Sequence, residues 1–294
     1  MNGAFMIRKA VLPVAGFGTR LLPMTKEMPK EMLPIFLDSV NGGPCLKPII
    51  QAIYEQLYDT GFKEFGFIVG RGKRAIEDHF TPDEEFVKEL ERMNKAELAE
   101  ELRRFYWRVN NSTIVFINQP EPKGFGDAVL RAKYFVNETF LVHAGDMTIL
   151  DKDCNYIRHL IASHEKYKAD AIMLIKEVEN PEIYGVIEGK EIENGIYNVE
   201  KAVEKPEKPQ TNLAIIPVYI FNPKIFKALE DTAQKEKGGE MQITDGIQEM
   251  INQGLKVYAV KLPPDGILLD IGNPESCWQS FNISYQNLKN RKRG

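Results

Sequence analysis

The side chains of this sequence that could do chemistry fall into three groups. The first follows a short apolar run, Ala10–Val14, of the length of a buried strand. The run ends in Ala15-Gly16-Phe17-Gly18-Thr19-Arg20, and Arg20, Lys26 and Lys30 all lie within fifteen residues of Gly16. Two glycines two apart let backbone approach a ligand and turn N–H groups toward it. A glycine-rich turn followed by cations is therefore a design for handling phosphate. The second group is acidic. Asp146 stands just past the apolar run Phe140–Ala144, and Asp270 follows Leu268-Leu269. A carboxylate beyond the carboxyl end of a strand sits where open α/β sheets bind ligands. A turn-forming aspartate beside glycine is the alternative for each. The third group is Glu204-Lys205, set in the charged, proline-rich string EKPEKP, for which a solvated loop is the plain alternative.

What is missing narrows the chemistry. A dinucleotide fingerprint needs a third glycine at position 21, which is Leu21, and no stretch matches a P-loop. The net charge of −4 argues against a general nucleic-acid binder, so a polyanion would have to be met by a locally basic pocket. Cys45, Cys154 and Cys277 are widely spaced and form no C-x-x-C pair, which reads as reduced thiols. The histidines form no H-E-x-x-H motif. No apolar stretch approaches the length of a membrane span. The opening MNGAFMIRKAVLPVAG lacks the long apolar core of a secretory leader and is broken by Arg8 and Lys9, so the cytoplasm is the expected location.

The elements that must position these residues alternate. Lys47–Thr60 carries Ile49, Ile50, Ile53 and Leu57 at helical spacing, with Gly61 to stop it, and Phe65–Val69 reads as the next strand. Strand, helix, strand predicts a parallel βαβ unit. Phe36–Leu46 reads as a loop, and Asp83–Arg108 as a charged helical insertion with a solvated face. Thr113–Ile117 is a predicted strand that runs through a Pro- and Gly-shaped loop, Gln119–Gly126, into a helix over Asp127–Val136. In the second half, Asp153–Tyr167 predicts a helix, Ala171–Ile175 and Asn212–Phe221 strands, and Asn194-Gly195 a hairpin turn. A short helix is expected over Pro223–Leu229 and another over Ile247–Ile251, the latter capped by Thr244 or Asp245. Leu255–Lys261 is a further strand, Pro274–Leu288 a closing helix, and the tail KNRKRG a solvated end. No repeat, linker or compositional break appears, which predicts one continuous α/β domain over 1–294.

The string GxGTRLLPxTKxxPKEMLP resembles the signature of the sugar-phosphate nucleotidyltransferases, and its PKEMLP ending is similar to the UTP–glucose-1-phosphate uridylyltransferase branch. Tyr184-Gly185-Val186, Val203-Glu204-Lys205-Pro206, the GEMQITD segment from Gly239 and the late D-x-G at Asp270 follow in the family's order, so the resemblance spans about 9–276. It implies a Rossmann-like fold: a mixed, mostly parallel central sheet flanked by helices, with added sugar-binding β elements. About 8–150 would bind nucleotide and about 151–276 sugar, with the closing helix over 274–288.

Carried over residue by residue, the resemblance makes Ala15, Gly16, Gly18 and Thr19 nucleotide-binding backbone, and Gln119 and Gly124 the readers of the base. A side-chain amide offers both donor and acceptor to an imide edge. Arg20 would act on the β- and γ-phosphates, Lys30 on the α-phosphate, and Lys205 on the sugar phosphate, with Gly185 and Glu204 at the hexose. Asp146 and Asp270 would hold Mg²⁺, which favours hard oxygen ligands and often takes one or two carboxylates plus substrate phosphate. The implied substrates are UTP and glucose 1-phosphate in a homodimer or homotetramer, without nucleic acid or membrane. Uracil and thymine differ by one methyl group, so dTTP, alone or beside UTP, stays open, as does a non-catalytic nucleotide-sugar sensor on the same fold. Two departures are visible. Relatives often carry histidine where this chain has Asp127, and some carry a second aspartate where Met147 stands.

Overall fold

The computed structural model describes residues 7–235 and 239–291. The first six residues of the opening stretch and the last three of the basic tail lie outside them. The chain begins with β1 (Lys9–Pro13), β2 (Pro34–Asp38), β3 (Pro44–Pro48), α1 (Ile49–Asp59), β4 (Glu64–Val69), α2 (Arg74–His79), α3 (Glu84–Arg92), α4 (Ala96–Asn110) and β5 (Thr113–Asn118). It continues with α5 (Phe125–Arg131), β6 (Phe140–His143), β7 (Met147–Leu150), α6 (Asn155–Tyr167), β8 (Ala171–Glu177), β9 (Gly185–Glu193) and β10 (Ile196–Glu204). β11 (Leu213–Phe221), α7 (Lys224–Lys235), α8 (Ile243–Asn252), β12 (Val257–Lys261), β13 (Ile267–Asp270) and α9 (Pro274–Arg291) complete it.

Nine strands form one sheet in the order β5-β4-β1-β6-β11-β8-β12-β10-β9. β5, β4, β1 and β6 are mutually parallel, β11 opposes both β6 and β8, β12 runs with β8, and β10 opposes both β12 and β9. Only β10 and β11 therefore run against the rest, and the expected mixed, mostly parallel α/β sheet is the one observed. Side-chain alternation along a strand gives the sheet two faces. Ala10 and Leu12 pack with α1, α3, α4 and α6 on one face, whereas Val11 and Phe140 pack with α5, α7 and α8 on the other. With both faces covered, the central strands must be apolar throughout, as Val218, Tyr219, Ile220 and Phe221 of β11 are.

The structure refines several expectations. The loop expected over Phe36–Leu46 is a hairpin: β2 pairs antiparallel with β3, and the Asn-Gly-Gly signal marks only its tip. The charged insertion is two helices, because Asn94 takes a left-handed conformation (φ 58°) between them. β7 was not legible in advance. Met147–Leu150 is a fully buried run too short to show a period, and it is made a strand by antiparallel pairing with β13, far along the chain. The closing helix α9 lies over that pair and over β2, with Phe36 against the rings of Phe281 and Tyr285 at 4.7 and 4.9 Å. Among the described residues no helix is long and apolar enough to cross a membrane.

α9 also fixes the end of β13. Ser280 Oγ donates to the Asp270 carbonyl and accepts from the Asp270 N–H, both at 2.8 Å, and the serine is buried. Ser280→Ala leaves both backbone groups without their partner. It is expected to cost about 1–3 kcal/mol of stability in urea denaturation; an unchanged midpoint would remove this anchor.

Candidate active site

The carboxyl ends of β1, β4, β5 and β6 share one edge of the sheet, so the segments that follow them converge. Val14 N–H donates to the Ile68 carbonyl at 2.9 Å, and Gln119 N–H to that of Val69 at 2.7 Å. A cavity of about 680 Å³ opens there. Its lining brings together ten of the residues expected from the sequence: Ala15, Gly16, Gly18, Thr19, Arg20, Lys30, Gln119, Gly124, Asp146 and Lys205. Because β11 runs against β6, its Pro217 also faces the cavity, and the Pro217 carbonyl accepts from Ala144 N–H at 2.9 Å. None of the residues from α3 and α4 lines this space, so the charged insertion does not cover it.

One wall is the turn after β1. A side chain at Gly16 would meet no protein atom within 4 Å, so what the glycine keeps open is solvent-side space rather than a packing gap. Thr25 Oγ1 donates to the Gly18 carbonyl at 2.8 Å and pins the turn. Lys26 lies beside Glu27 and lines, with Arg71 and Lys73, a hollow that adjoins the cavity at Gly16, Phe17 and Thr19. A 3₁₀ turn over Lys30–Met32 then sends two successive side chains to opposite partners. Lys30 Nζ donates to Asp146 Oδ2, and Glu31, itself buried, accepts from Lys73 Nζ at 2.7 Å. Burial would lower the Lys30 ammonium, but the neighbouring Asp146 carboxylate outweighs it and holds Lys30 above its ordinary value. The charge of Arg20 acts on Lys30 in the opposite sense, which places this exposed guanidinium in the same field.

The second wall holds the carboxylates. Asp146 sits in the turn between β6 and β7, and the β7–β13 register sets Asp270 opposite Met147, so the two acids are brought together by pairing across the chain. Ile271 N–H donates to the Asp146 carbonyl at 2.9 Å. Asp270 does not line the cavity itself. Its carboxyl is pushed above the usual range, first by burial and then by the charge of Asp146. Two hard oxygen donors that repel one another fit a divalent cation. Among the described residues no third His, Cys, Asp or Glu completes a cluster, so further oxygens would come from water and substrate phosphate, as Mg²⁺ accepts.

The third wall is the end of the β9–β10 hairpin. Register places Gly185 directly opposite Glu204, and the Glu204 carboxylate lies 3.4 Å from Lys205 Nζ. Lys205 has a positive φ of 38°, an uncommon conformation for a residue with a side chain, and its N–H donates to the Tyr184 carbonyl at 3.0 Å. Gly185 and Glu204 do not line the cavity; they stand behind Lys205. Thr244 corrects the sequence reading. It does not cap α8, whose N-cap is Gln242 without a side-chain bond; instead its Oγ1 donates to Glu204 Oε2 at 2.8 Å. The signal available in advance was only its place in GEMQITD.

The loop that carries Gly124 is held from below. Gly124 has φ 101°, and a Cβ there would stand 2.5 Å from the Met241 carbonyl oxygen, so glycine is required. Met241 N–H donates to the Lys123 carbonyl and Gly126 N–H to that of Met241, each at 2.8 Å. Asp127, the expected departure, is buried. It accepts from Arg131 Nη2 at 2.8 Å, one helical turn on, as i,i+4 spacing suggests, and from Gln119 Nε2 at 2.7 Å, a contact that spacing does not suggest.

The nucleotidyl transferase family matches residues 9–287. A UTP–glucose-1-phosphate uridylyltransferase of Bacillus subtilis is 40% identical over 271 residues, covering 90% of this chain and 87% of its own. Another, from Pseudomonas aeruginosa, is 37% identical over 289 residues, covering 96% of this chain and 98% of its own. A solved UDP-glucose pyrophosphorylase in complex with UDP-glucose superposes with a TM-score of 0.80 at 32% identity, covering 96% of this chain and all of that one.

The carboxylate pair makes a direct prediction. In a carbon-detected NMR titration Asp270 should protonate above the 3.8 of an ordinary aspartate. Asp146→Asn should bring that midpoint down without restoring it fully, because burial remains. Since the folded-state value is raised, the protonated form favours folding, and that contribution is lost as pH rises through it. A midpoint indifferent to Asp146→Asn would show that the two acids do not sense each other.

Proposed function

The chain belongs to the nucleotidyl transferase family, and from that membership and the cavity's geometry we propose that it transfers a uridylyl group from UTP to α-D-glucose 1-phosphate, giving UDP-glucose and pyrophosphate. The observation that carries the reading is the meeting of the glycine turn, the Lys30–Asp146 pair, the Gln119–Gly124 loop and Lys205 around one cavity of nucleotide-sugar dimensions. The chain acts as a single nucleotidyltransferase domain in the cytoplasm, as a homodimer or homotetramer. The part over about 8–150 holds nucleotide, and the part over about 151–276 holds sugar.

In the reaction a phosphate oxygen of the sugar phosphate attacks the α-phosphorus in line; the new P–O bond forms as the bond to pyrophosphate breaks. The nucleophile is already an anion, so no general base is required, and among the described residues no histidine lines the cavity. The obstacle is repulsion between two polyanions, and catalysis is mainly positioning and charge stabilisation. Arg20 stabilises the β- and γ-phosphates that leave. Lys30 stands at the α-phosphate, its ammonium kept charged by Asp146. Lys205 holds the sugar phosphate, while Glu204, steadied by Thr244, and the backbone at Gly185 take the hexose hydroxyls. The backbone of Ala15, Gly16, Gly18 and Thr19, with Gln119 and Gly124, holds and reads the nucleoside. Mg²⁺ held by Asp146 and Asp270 would supply charge neutralisation and orientation of phosphate oxygens. Neither Gln119 nor Gly124 tests for a methyl group, so dTTP is expected as a weaker second donor, within the modest discrimination one methyl allows, about 1–3 kcal/mol.

Pyrophosphate release with Mg²⁺, crossing UTP, dTTP, ATP, CTP and GTP against the 1-phosphates of glucose, galactose, mannose and N-acetylglucosamine, is expected to peak at UTP with glucose 1-phosphate. A dTTP peak would move the substrate and keep the mechanism; folded protein silent throughout would reject transfer. Asp146→Ala and Asp270→Ala should each lower turnover at least about a hundredfold. Lys205→Ala should raise the KM for glucose 1-phosphate roughly tenfold or more, and an unchanged KM would reject its role.

A further inference from the structure

Gln119 is buried at the base end of the cavity, and its amide has two different faces: an NH₂ that donates and an Oε1 that accepts. Here the choice between them is fixed by chemistry rather than by fit. Nε2 donates to Asp127 Oδ2 at 2.7 Å and to the Gly124 carbonyl at 3.2 Å. Both partners are acceptors, so turning the amide over would set Oε1 against two oxygens. Asp127 is in turn held from its other side, with Arg131 Nη2 donating to Oδ1 at 2.8 Å and Nε to Oδ2 at 3.3 Å along the first helical turns of α5. Among the described residues no donor meets Oε1, which is left as the group that Gln119 offers to the cavity.

We infer that Asp127, braced by Arg131, locks the Gln119 amide with its carbonyl toward the base, and so makes this pocket select a base whose ring carries an N–H between two carbonyls over one with a bare ring nitrogen. This rests on the reading of the cavity as a uridylyl-transfer site and deepens it. Uracil and thymine present N3–H to Oε1; cytosine presents an N3 lone pair, and lone pair against carbonyl is repulsive. An unlocked amide could rotate and donate to cytosine instead. The side chain that makes the choice is thus a positioning residue, one step removed from the base.

The test is direct binding of UTP, dTTP and CTP by calorimetry, with Asp127→Asn beside the unaltered protein. An asparagine can present either an acceptor or a donor to Gln119, so it removes the shorter of the two contacts that fix the amide, and leaves only the Gly124 carbonyl at 3.2 Å, with little change of shape. The unaltered protein should favour UTP and dTTP over CTP. Asp127→Asn should narrow the UTP to CTP ratio by roughly tenfold or more, by weakening UTP and strengthening CTP. Arg131→Gln keeps the carboxylate, removes its brace, and should narrow the ratio in the same direction by a smaller factor. In turnover assays Asp127→Asn should raise the KM for UTP and leave the KM for glucose 1-phosphate where it was, whereas a merely structural loss would lower both affinities together. A folded Asp127→Asn protein with the unaltered ratio would overturn the inference, as would an unaltered protein that binds CTP as well as UTP. If Asp127→Asn does not fold, Arg131→Gln decides by the same criterion. Binding is read without the second substrate, so nucleotide selectivity in a protein that transfers nothing would reject uridylyl transfer and still support the lock.

Discussion

The contact on which the site depends is the one between Lys30 and Asp146, residues 116 apart in sequence. It closes the gap between the turn after β1 and the turn after β6, two adjacent parallel strands. A lysine taken out of water would ordinarily lose its proton more easily, and a carboxylate beside another carboxylate would ordinarily be repelled. Each supplies what the other lacks. Behind Lys30, Glu31 points the opposite way into its own buried pair with Lys73, so the short helical turn that carries both residues is held at two points. Burial nevertheless leaves Glu31 above the ordinary glutamate range, its cationic neighbours notwithstanding. Such buried pairs are weak as sources of stability, but breaking one side is costly; their use here is to fix the direction of a turn.

The acidic side of the cavity is organised by a different constraint. Asp146 stands at the middle of the chain and Asp270 near its end, and they are set together by four residues of antiparallel pairing and by the helix that covers them. The charge of Lys30 reaches both, but it bonds Asp146, and Asp270 remains raised. A site that leaves a carboxylate uncompensated beside another is prepared for a cation that arrives with substrate. The cationic side chains Arg20 and Lys205, both exposed, line the same cavity.

The specificity elements show how supporting residues do the shaping. Gln119 is aimed by Asp127, Glu204 by Thr244, and the Gly124 loop by the backbone of Met241. In all three the group is held by a neighbour further along the chain. α8 and the segment before it support two of these three, which explains why GEMQITD belongs with the site although most of it lies behind the cavity.

The sequence by itself determined the alternation of helix and strand, the glycine-rich turn after β1, and the identity of the charged residues. These are local: they depend on period, on glycine, and on the order of charges along short segments. It also sufficed for the family resemblance, because five motifs in order are a property of the string. The tertiary structure alone decided that β7 is a strand, that Thr244 serves Glu204 instead of a helix end, that Lys26 lines the adjoining hollow, and that Asp127 holds Gln119. Each of these depends on a partner brought near by the fold or on the rotamer a side chain takes among competing partners. A four-residue apolar run has no period to read, a threonine before a helix has a cap as its default, and an aspartate at the start of a helix shows nothing of the amide, eight residues earlier, that it holds.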